Sequence, residues 1–477
     1  MSSEAAQTTI APRRGFGVAT ASFVVISSMV GTGVLTTSGY TMLGVGSNQL
    51  MLWLWVVGGL IAVCGALCLA ELSAMLPESG GDYVFLRETY GPFFGFLSGW
   101  VSFLLGFGGP IASSSYGAAR YLTAPLALEE GPARWVNLGL ATCAIVAFAV
   151  IHMAGQEESA RVQGAVTVVK LAILTALGLA GVTAAWGRWS NVLDAPNWGP
   201  DVLAASLFSL VYIAYAYTGW NAAGYIGGEV AEPRRVLPRA IAIGTGTVIA
   251  LYLVLNLFYA LALGIEDVRT IAGPDGRNSG ALAPIAELAA SRVFGKGIAS
   301  ALSVAVGLTL FASLSAFVMT GGRVVYAMAA AGQFPRWAGR LDARRGTPVV
   351  ALALQSAWSI LVLWSGSFEQ IFVYSSVGLA LLSMLTVSAV FVLRSRRPGA
   401  VRPFRVPIYP VPPLLFLLGT SLLTGAAFWQ RPWESGLSLL SILVAVPVYW
   451  AWGRRRGGQA STGPAGLQET LRGETRG

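Results

Sequence analysis

Apolar stretches of roughly 20 residues, the length a helix needs to cross a bilayer core, recur along the whole chain. They fall at about 16–42, 49–76, 92–119, 133–152, 161–186, 202–228, 236–264, 297–330, 347–365, 368–393, 409–429 and 434–453. Polar residues are confined to the short stretches between them. In lipid every backbone amide and carbonyl must find a partner within its own element, so such runs predict helices rather than open strands. The pattern therefore predicts an all-α polytopic membrane protein of about twelve spans. It divides the chain into a tail (1–14), five spans (15–190), five more (200–394), a last pair (407–453) and a second tail (454–477).

Composition agrees with the pattern. Of 477 residues, 55% are hydrophobic and 11% charged, against roughly 25% charged in a soluble domain. The net charge of +9 would suggest nucleic acid in a soluble protein, but its placement excludes that partner. The basic residues cluster between apolar runs, at Arg13-Arg14, Arg234-Arg235, Arg344-Arg345, Arg394 with Arg396-Arg397, and Arg454-Arg455-Arg456. Most Arg and Lys fall on the side that holds the termini, which predicts both termini in the cytoplasm of a cell (plasma or inner) membrane protein. Loops 231–239, 333–346 and 394–406 are then cytoplasmic. The opposite loop, about 265–296, is expected to hold short helical pieces over the extracellular mouth. The start of the chain is polar and leads into a long Gly-rich apolar run, so no cleavable signal peptide is expected.

Cys64, Cys68 and Cys143 lie inside apolar runs with no His or Cys to complete a metal set, so they read as buried small residues. Neither a metal nor a cofactor is expected. His152, at a span end, is given no role.

Two spans carry glycine in mid-run, where it is costly for a helix: Gly31-Thr32-Gly33 in the first and Thr218-Gly219 in the sixth. Interruptions five spans apart suggest repeated units, and an odd number of spans per unit makes the second unit inverted. Gly58-Gly59, Gly108-Gly109 and Gly227-Gly228 read instead as sites of close helix packing. A helix broken in mid-membrane leaves free N–H groups on one half and free C=O groups on the other, and these must face a cavity or a ligand. The amides of Thr32, Gly33 and Val34, with Gly31 at the break, offer a carboxylate site at a positive helix end. The carbonyls around Ser28, Met29, Tyr215 and Ala216 can accept from an ammonium. Such a site binds a zwitterion without a charged side chain. The ligand's own side chain would meet Tyr215, Tyr217, Thr218, Trp220 and Asn221, beside Gly219, with Tyr215 or Trp220 able to serve as a lid. The alternative is that these aromatics simply pack against neighbouring helices.

Lys170 is one of two lysines and lies about ten residues into the fifth span. A buried ammonium costs several kcal/mol unless paired or neutralised, and this depth disfavours snorkelling to an interface. It could brace the first span where related carriers hold sodium, or carry a coupled proton if burial frees that proton near neutral pH. Glu71, Glu229 and Arg323 sit near cytoplasmic span ends. Pairing with a loop arginine is their ordinary explanation, and a gate is the alternative.

The motifs resemble the amino acid–polyamine–organocation superfamily, and within it the chain is similar to L-type amino acid transporters and related bacterial permeases. The resemblance rests on Ser28-Met29-Val30-Gly31-Thr32-Gly33-Val34, Pro77-Glu78-Ser79-Gly80-Gly81-Asp82-Tyr83 and Tyr215-Ala216-Tyr217-Thr218-Gly219-Trp220-Asn221. It extends to Glu229 through Pro238, Arg323 to Pro335, and Arg402-Pro403-Phe404-Arg405. It covers roughly residues 15–450 and implies the leucine-transporter-type fold, five plus five inverted spans with two additional helices. It also implies that Lys170 stands where sodium-independent members keep a lysine. Members that handle polyamines or arginine-type substrates tend to have glutamate just after the sixth-span break, where this chain has Asn221; that favours neutral amino acids. Thr218 replaces a frequent glycine of L-type members and narrows the pocket against large aromatic substrates.

The expectation is a secondary amino acid transporter, working by proton symport or exchange and needing no obligatory accessory subunit, since no cysteine is placed to tether one. A carrier of small amines, cationic amino acids or polyamines is the alternative, though it lacks an anionic pocket group. A non-transporting amino acid sensor would need a signalling domain. A membrane enzyme lacks a catalytic cluster in the spans.

Overall fold

The computed structural model describes residues 15–453 apart from 127, 129, 194–195, 197–198, 274–283, 343–344 and 367; both tails lie outside the described residues. The chain runs through α1 (Val18–Met29), α2 (Gly33–Val45), α3 (Asn48–Met75), α4 (Asp82–Tyr90), α5 (Pro92–Val101), α6 (Gly108–Thr123), α7 (Glu130–Ala154), α8 (Gln156–Ala184) and α9 (Pro200–Ala216). It continues through α10 (Ala222–Tyr225), α11 (Pro233–Ala262), α12 (Ile265–Ala272), α13 (Ile285–Phe294), α14 (Lys296–Ala330), α15 (Val349–Ser365), α16 (Phe368–Arg396), α17 (Val411–Gln430) and α18 (Pro432–Val448).

Among the described residues, ten spans are long and apolar enough to cross a membrane, counting α1–α2 and α5–α6 as one each, and α9 and α15 are shorter apolar helices. This is a polytopic all-helical membrane protein, as the hydrophobic pattern predicts. Proline opens α5, α9, α11, α17 and α18 within their first two positions, where its missing N–H would be unpaired anyway. Ser47 caps α3 by accepting from the Leu50 amide at 3.2 Å. The loop after α11 holds α12 and α13, the short helical pieces expected there.

The first span, the third span and α14 are the most buried, whereas α18 lies at the periphery. α3 packs on α11, α14 on α6, and α1 on α11. The third span is not uniform: a π-helical turn, Ser102–Phe107, joins α5 to α6. Cys64 and Cys68 are buried as expected. Cys143 is exposed on α7, so the expectation of burial fails for it: its side chain points out of the bundle from an otherwise apolar helix.

Candidate functional site

α1 ends at Met29 and α2 begins at Gly33, with Val30-Gly31-Thr32 between them. α9 ends at Ala216, and Tyr217 through Asn221 form a turn before the single-turn α10. The two interruptions meet. Gly219 has φ +106°, and a Cβ there would lie 2.6 Å from the Ser28 carbonyl carbon. Only glycine permits both that backbone and that approach. At Gly33 a Cβ would lie 2.5 Å from that of Ala216.

A cavity of about 50 Å³ lies at this junction. The first span contributes Ser28, Met29, Gly31, Thr32 and Gly33, and the sixth contributes Tyr215, Ala216, Thr218, Gly219, Trp220 and Asn221. The structure thus brings together most of the residues singled out in the sequence. Tyr217 and Val34 do not line this cavity. Tyr217 turns away and donates to the Trp55 carbonyl at 3.2 Å, and Val34 is fully buried in the core. Among the described residues, none that lines the cavity is charged.

The walls include residues that sequence reasoning missed: Gly106, Phe107, Pro110, Ser113 and Ser114 from the third span, Tyr225 from α10, Phe317 from α14, and Leu379 and Ser383 from α16. The π-helical turn is what sets Phe107 against the Tyr225 ring, 5.3 Å between centroids. π-helical turns inside helices recur at functional sites. In the sequence this region's signal is Gly108-Gly109, whose ordinary meaning is close helix packing.

The free backbone groups at the breaks divide sharply. Lys170, fully buried, donates to the carbonyls of Ser27 (3.3 Å) and Val30 and to Ser313 Oγ (2.7 Å). Ser313 itself donates to the Val30 carbonyl at 2.5 Å. The Tyr252 hydroxyl on α11 lies 2.6 Å from the Met29 carbonyl and 2.9 Å from that of Ala216. One proton serves one of these carbonyls at a time, and each carbonyl has two lone pairs. The Met29 carbonyl also accepts from the Gly31 amide at 2.9 Å, so the spare acceptor capacity lies at the Ala216 carbonyl. Tyr215 carbonyl receives the Thr218 hydroxyl at 2.7 Å and the Thr218 amide at 2.9 Å. At the other polarity, the first amides of α2 have no preceding turn to donate to. Ser28 Oγ, buried at the cavity, has no hydrogen-bond partner.

The Tyr215 ring packs on Phe372, 4.0 Å between centroids, and Trp220 packs edge-on against Phe416 of α17. Behind Tyr215, Thr218 and Trp220 lies a second cavity of about 60 Å³, walled by α3, α16 and α17.

Further from the cavity, Glu229 meets Arg323 through two hydrogen bonds, the longer 2.8 Å. Glu71 accepts from Arg394 at 2.6 and 2.9 Å and from the Val406 amide at 2.7 Å. Glu71 and Glu229 are both buried. His152 is buried and bonded to Ser315 at 3.0 Å. Among the described residues no cluster of His, Cys, Asp and Glu could hold a metal.

Comparison with known proteins adds the family. Residues 16–450 match the amino acid permease family. The chain is 27% identical to the serine/threonine exchanger SteT of Bacillus subtilis (strain 168), over 93% of this chain and 98% of that protein. It is 26% identical to the human large neutral amino acids transporter small subunit 2, over 92% and 81% of the two chains. It is also 26% identical to the human cystine/glutamate transporter, over 90% and 83%.

Proposed function

The chain belongs to the amino acid permease family, and from that premise we propose that it carries small neutral amino acids by alternating access, without sodium, through exchange or proton symport. One observation carries the substrate class: the cavity where the two broken spans meet is small and lined by no charged side chain. The α-carboxylate would sit on the amides of Thr32, Gly33 and Val34 with Ser28 Oγ, at the positive end of α2. The ammonium would use the remaining acceptor capacity of the Ala216 carbonyl, beside that of Met29. The side chain would face Tyr215, Thr218 and Asn221, with little room for an aromatic ring.

Sodium independence is supported by the Lys170 ammonium, which already fills the ring of oxygens from Ser27, Val30 and Ser313. Exchange is supported by the similarity to a serine/threonine exchanger. The five-plus-five inverted plan is supported by the positions of the two breaks, and cytoplasmic termini by the arginine-rich loops. Tyr215 and Trp220 would close the cavity on one side, and the Glu229–Arg323 and Glu71–Arg394 pairs would part when it opens on the other. Independence from an accessory subunit is supported by the burial of Cys64 and Cys68 and by the place of Cys143 within α7.

The test is uptake of a radiolabelled amino acid panel into sodium-free proteoliposomes, with and without a proton gradient and with and without internal amino acid. Uptake of serine-sized neutral substrates is expected. Uptake only in the presence of sodium, or only of charged substrates, would contradict the reading.

A further inference from the structure

Among the described residues, three carboxylate side chains are buried: Glu71, Asp82 and Glu229. Glu71 and Glu229 face arginines. Asp82, at the start of α4, does not. Its Oδ2 accepts from the Tyr225 hydroxyl at 2.7 Å and from Asn221 Nδ2 at 2.9 Å, and its Oδ1 accepts from the Thr386 hydroxyl at 2.9 Å. The donors are neutral and come from the sixth span and from α16.

The other titratable groups on the elements packed around α4 do not supply a countercharge. On α4 itself, Arg87 is turned to Glu78 and Glu88 and lies over the Tyr83 ring. On α14, Arg323 is held by Glu229, with Tyr326 further along. On α16, Arg394 is held by Glu71 and Arg396 donates to the Thr89 carbonyl at 3.1 Å. α5 carries no charged residue.

An arginine-paired carboxylate stays ionised through ordinary changes of pH. One held only by neutral donors is balanced, since the hydrogen bonds favour the anion and burial favours the acid. At Asp82 burial outweighs the three hydrogen bonds and raises the carboxyl above its ordinary range. That balance exists only while α4, α10 and α16 stay packed together. Asn221 and Tyr225 also line the substrate cavity, so the acid lies one hydrogen bond behind the cavity wall.

We propose that Asp82 is the proton-binding site of this carrier, loaded through the cavity while α4, α10 and α16 are closed over it and emptied on the α4 side when they part. The proposal rests on the reading of the chain as an amino acid carrier and selects proton symport within it. The sign follows from burial. The closed arrangement favours the protonated acid, and water admitted by opening returns it to its ordinary acidity, so the proton leaves on the α4 side with the substrate. Tyr225 or Thr386 can turn its hydroxyl to accept from the protonated form, whereas Asn221 can only donate through Nδ2.

The experiment compares wild type and Asp82→Asn in sodium-free proteoliposomes. It measures gradient-driven uptake, exchange against internal amino acid, and substrate binding by scintillation proximity. Wild type is expected to show gradient-stimulated uptake with a pH midpoint. The variant should bind and exchange within about threefold of wild type but lose the stimulation and the midpoint. Retained stimulation in Asp82→Asn overturns the proposal, as does wild-type exchange that ignores the gradient; the carrier reading survives both results. Wild type that neither binds nor moves any amino acid overturns the carrier reading itself. If Asp82→Asn does not fold, Thr386→Val serves. Removing one donor to the anion should raise the midpoint by about one pH unit, and an unmoved midpoint overturns the proposal.

Discussion

The two broken spans do the same thing to the backbone but are held by opposite means. The first break carries small residues and is pinned from outside, by Lys170 of α8, Ser313 of α14 and Tyr252 of α11. The sixth carries its own polar side chains. Thr218 bonds back to the Tyr215 carbonyl, and Asn221 reaches Asp82. The first break thus presents fixed backbone dipoles, suited to the part common to every amino acid. The sixth presents side chains, suited to telling amino acids apart and to sensing closure. Tyr252 touches a carbonyl at each break and so ties them together.

Four substitutions test that division. Lys170→Ala leaves the buried Ser27 carbonyl without its lysine donor, while the Val30 carbonyl keeps Ser313. An unsatisfied buried carbonyl costs roughly 1–3 kcal/mol, so kcat/KM for uptake should fall by about thirtyfold for every substrate alike. Gly219→Ala places a Cβ against the Ser28 carbonyl with φ positive. Strain of roughly 1–3 kcal/mol should lower uptake by about tenfold or more, again across the panel. Tyr252→Phe removes one hydroxyl shared by both breaks, and a loss of about 1 kcal/mol should weaken binding about fivefold while leaving the order of preference intact. Thr218→Gly should have the smallest effect on serine-sized substrates, about threefold, but should shift preference toward larger side chains. A uniform loss from Thr218→Gly, or a shift in preference from Lys170→Ala, would erase the distinction between the two breaks. Competition assays on the panel read both.

Much of this contrast was legible in the sequence, and the reasons are physical. Glycine in the middle of an apolar run costs helix stability, so Gly31, Gly33 and Gly219 stand out. An ammonium deep in such a run costs more still, so Lys170 stands out as well. Tyr252 does not, because a tyrosine in an apolar run looks like packing until its hydroxyl is seen between two carbonyls. The sequence places Tyr217 at the ligand, but the turn after α9 sends its ring toward Trp55. The wall from Gly106 to Ser114 is hard to see in the sequence because the π-helical turn that leads into it leaves no periodic mark in composition. In the sequence Asp82 stands out only as part of a loop motif. Glu71 and Glu229 are legible as arginine partners from their place near arginine-rich loops, but nothing marks Asp82 as a carboxylate that meets only neutral donors.

The central claim is that fixed backbone groups at the two breaks bind the carboxylate and the ammonium of a zwitterion. The most direct measurement is competition against a radiolabelled neutral amino acid in proteoliposomes, using its carboxamide and its des-amino analogue. The account predicts that each loses affinity by about a hundredfold or more, since each leaves buried partners unpaired at a cost of roughly 1–3 kcal/mol apiece. A carboxamide or des-amino analogue that competes as well as the parent amino acid would contradict it.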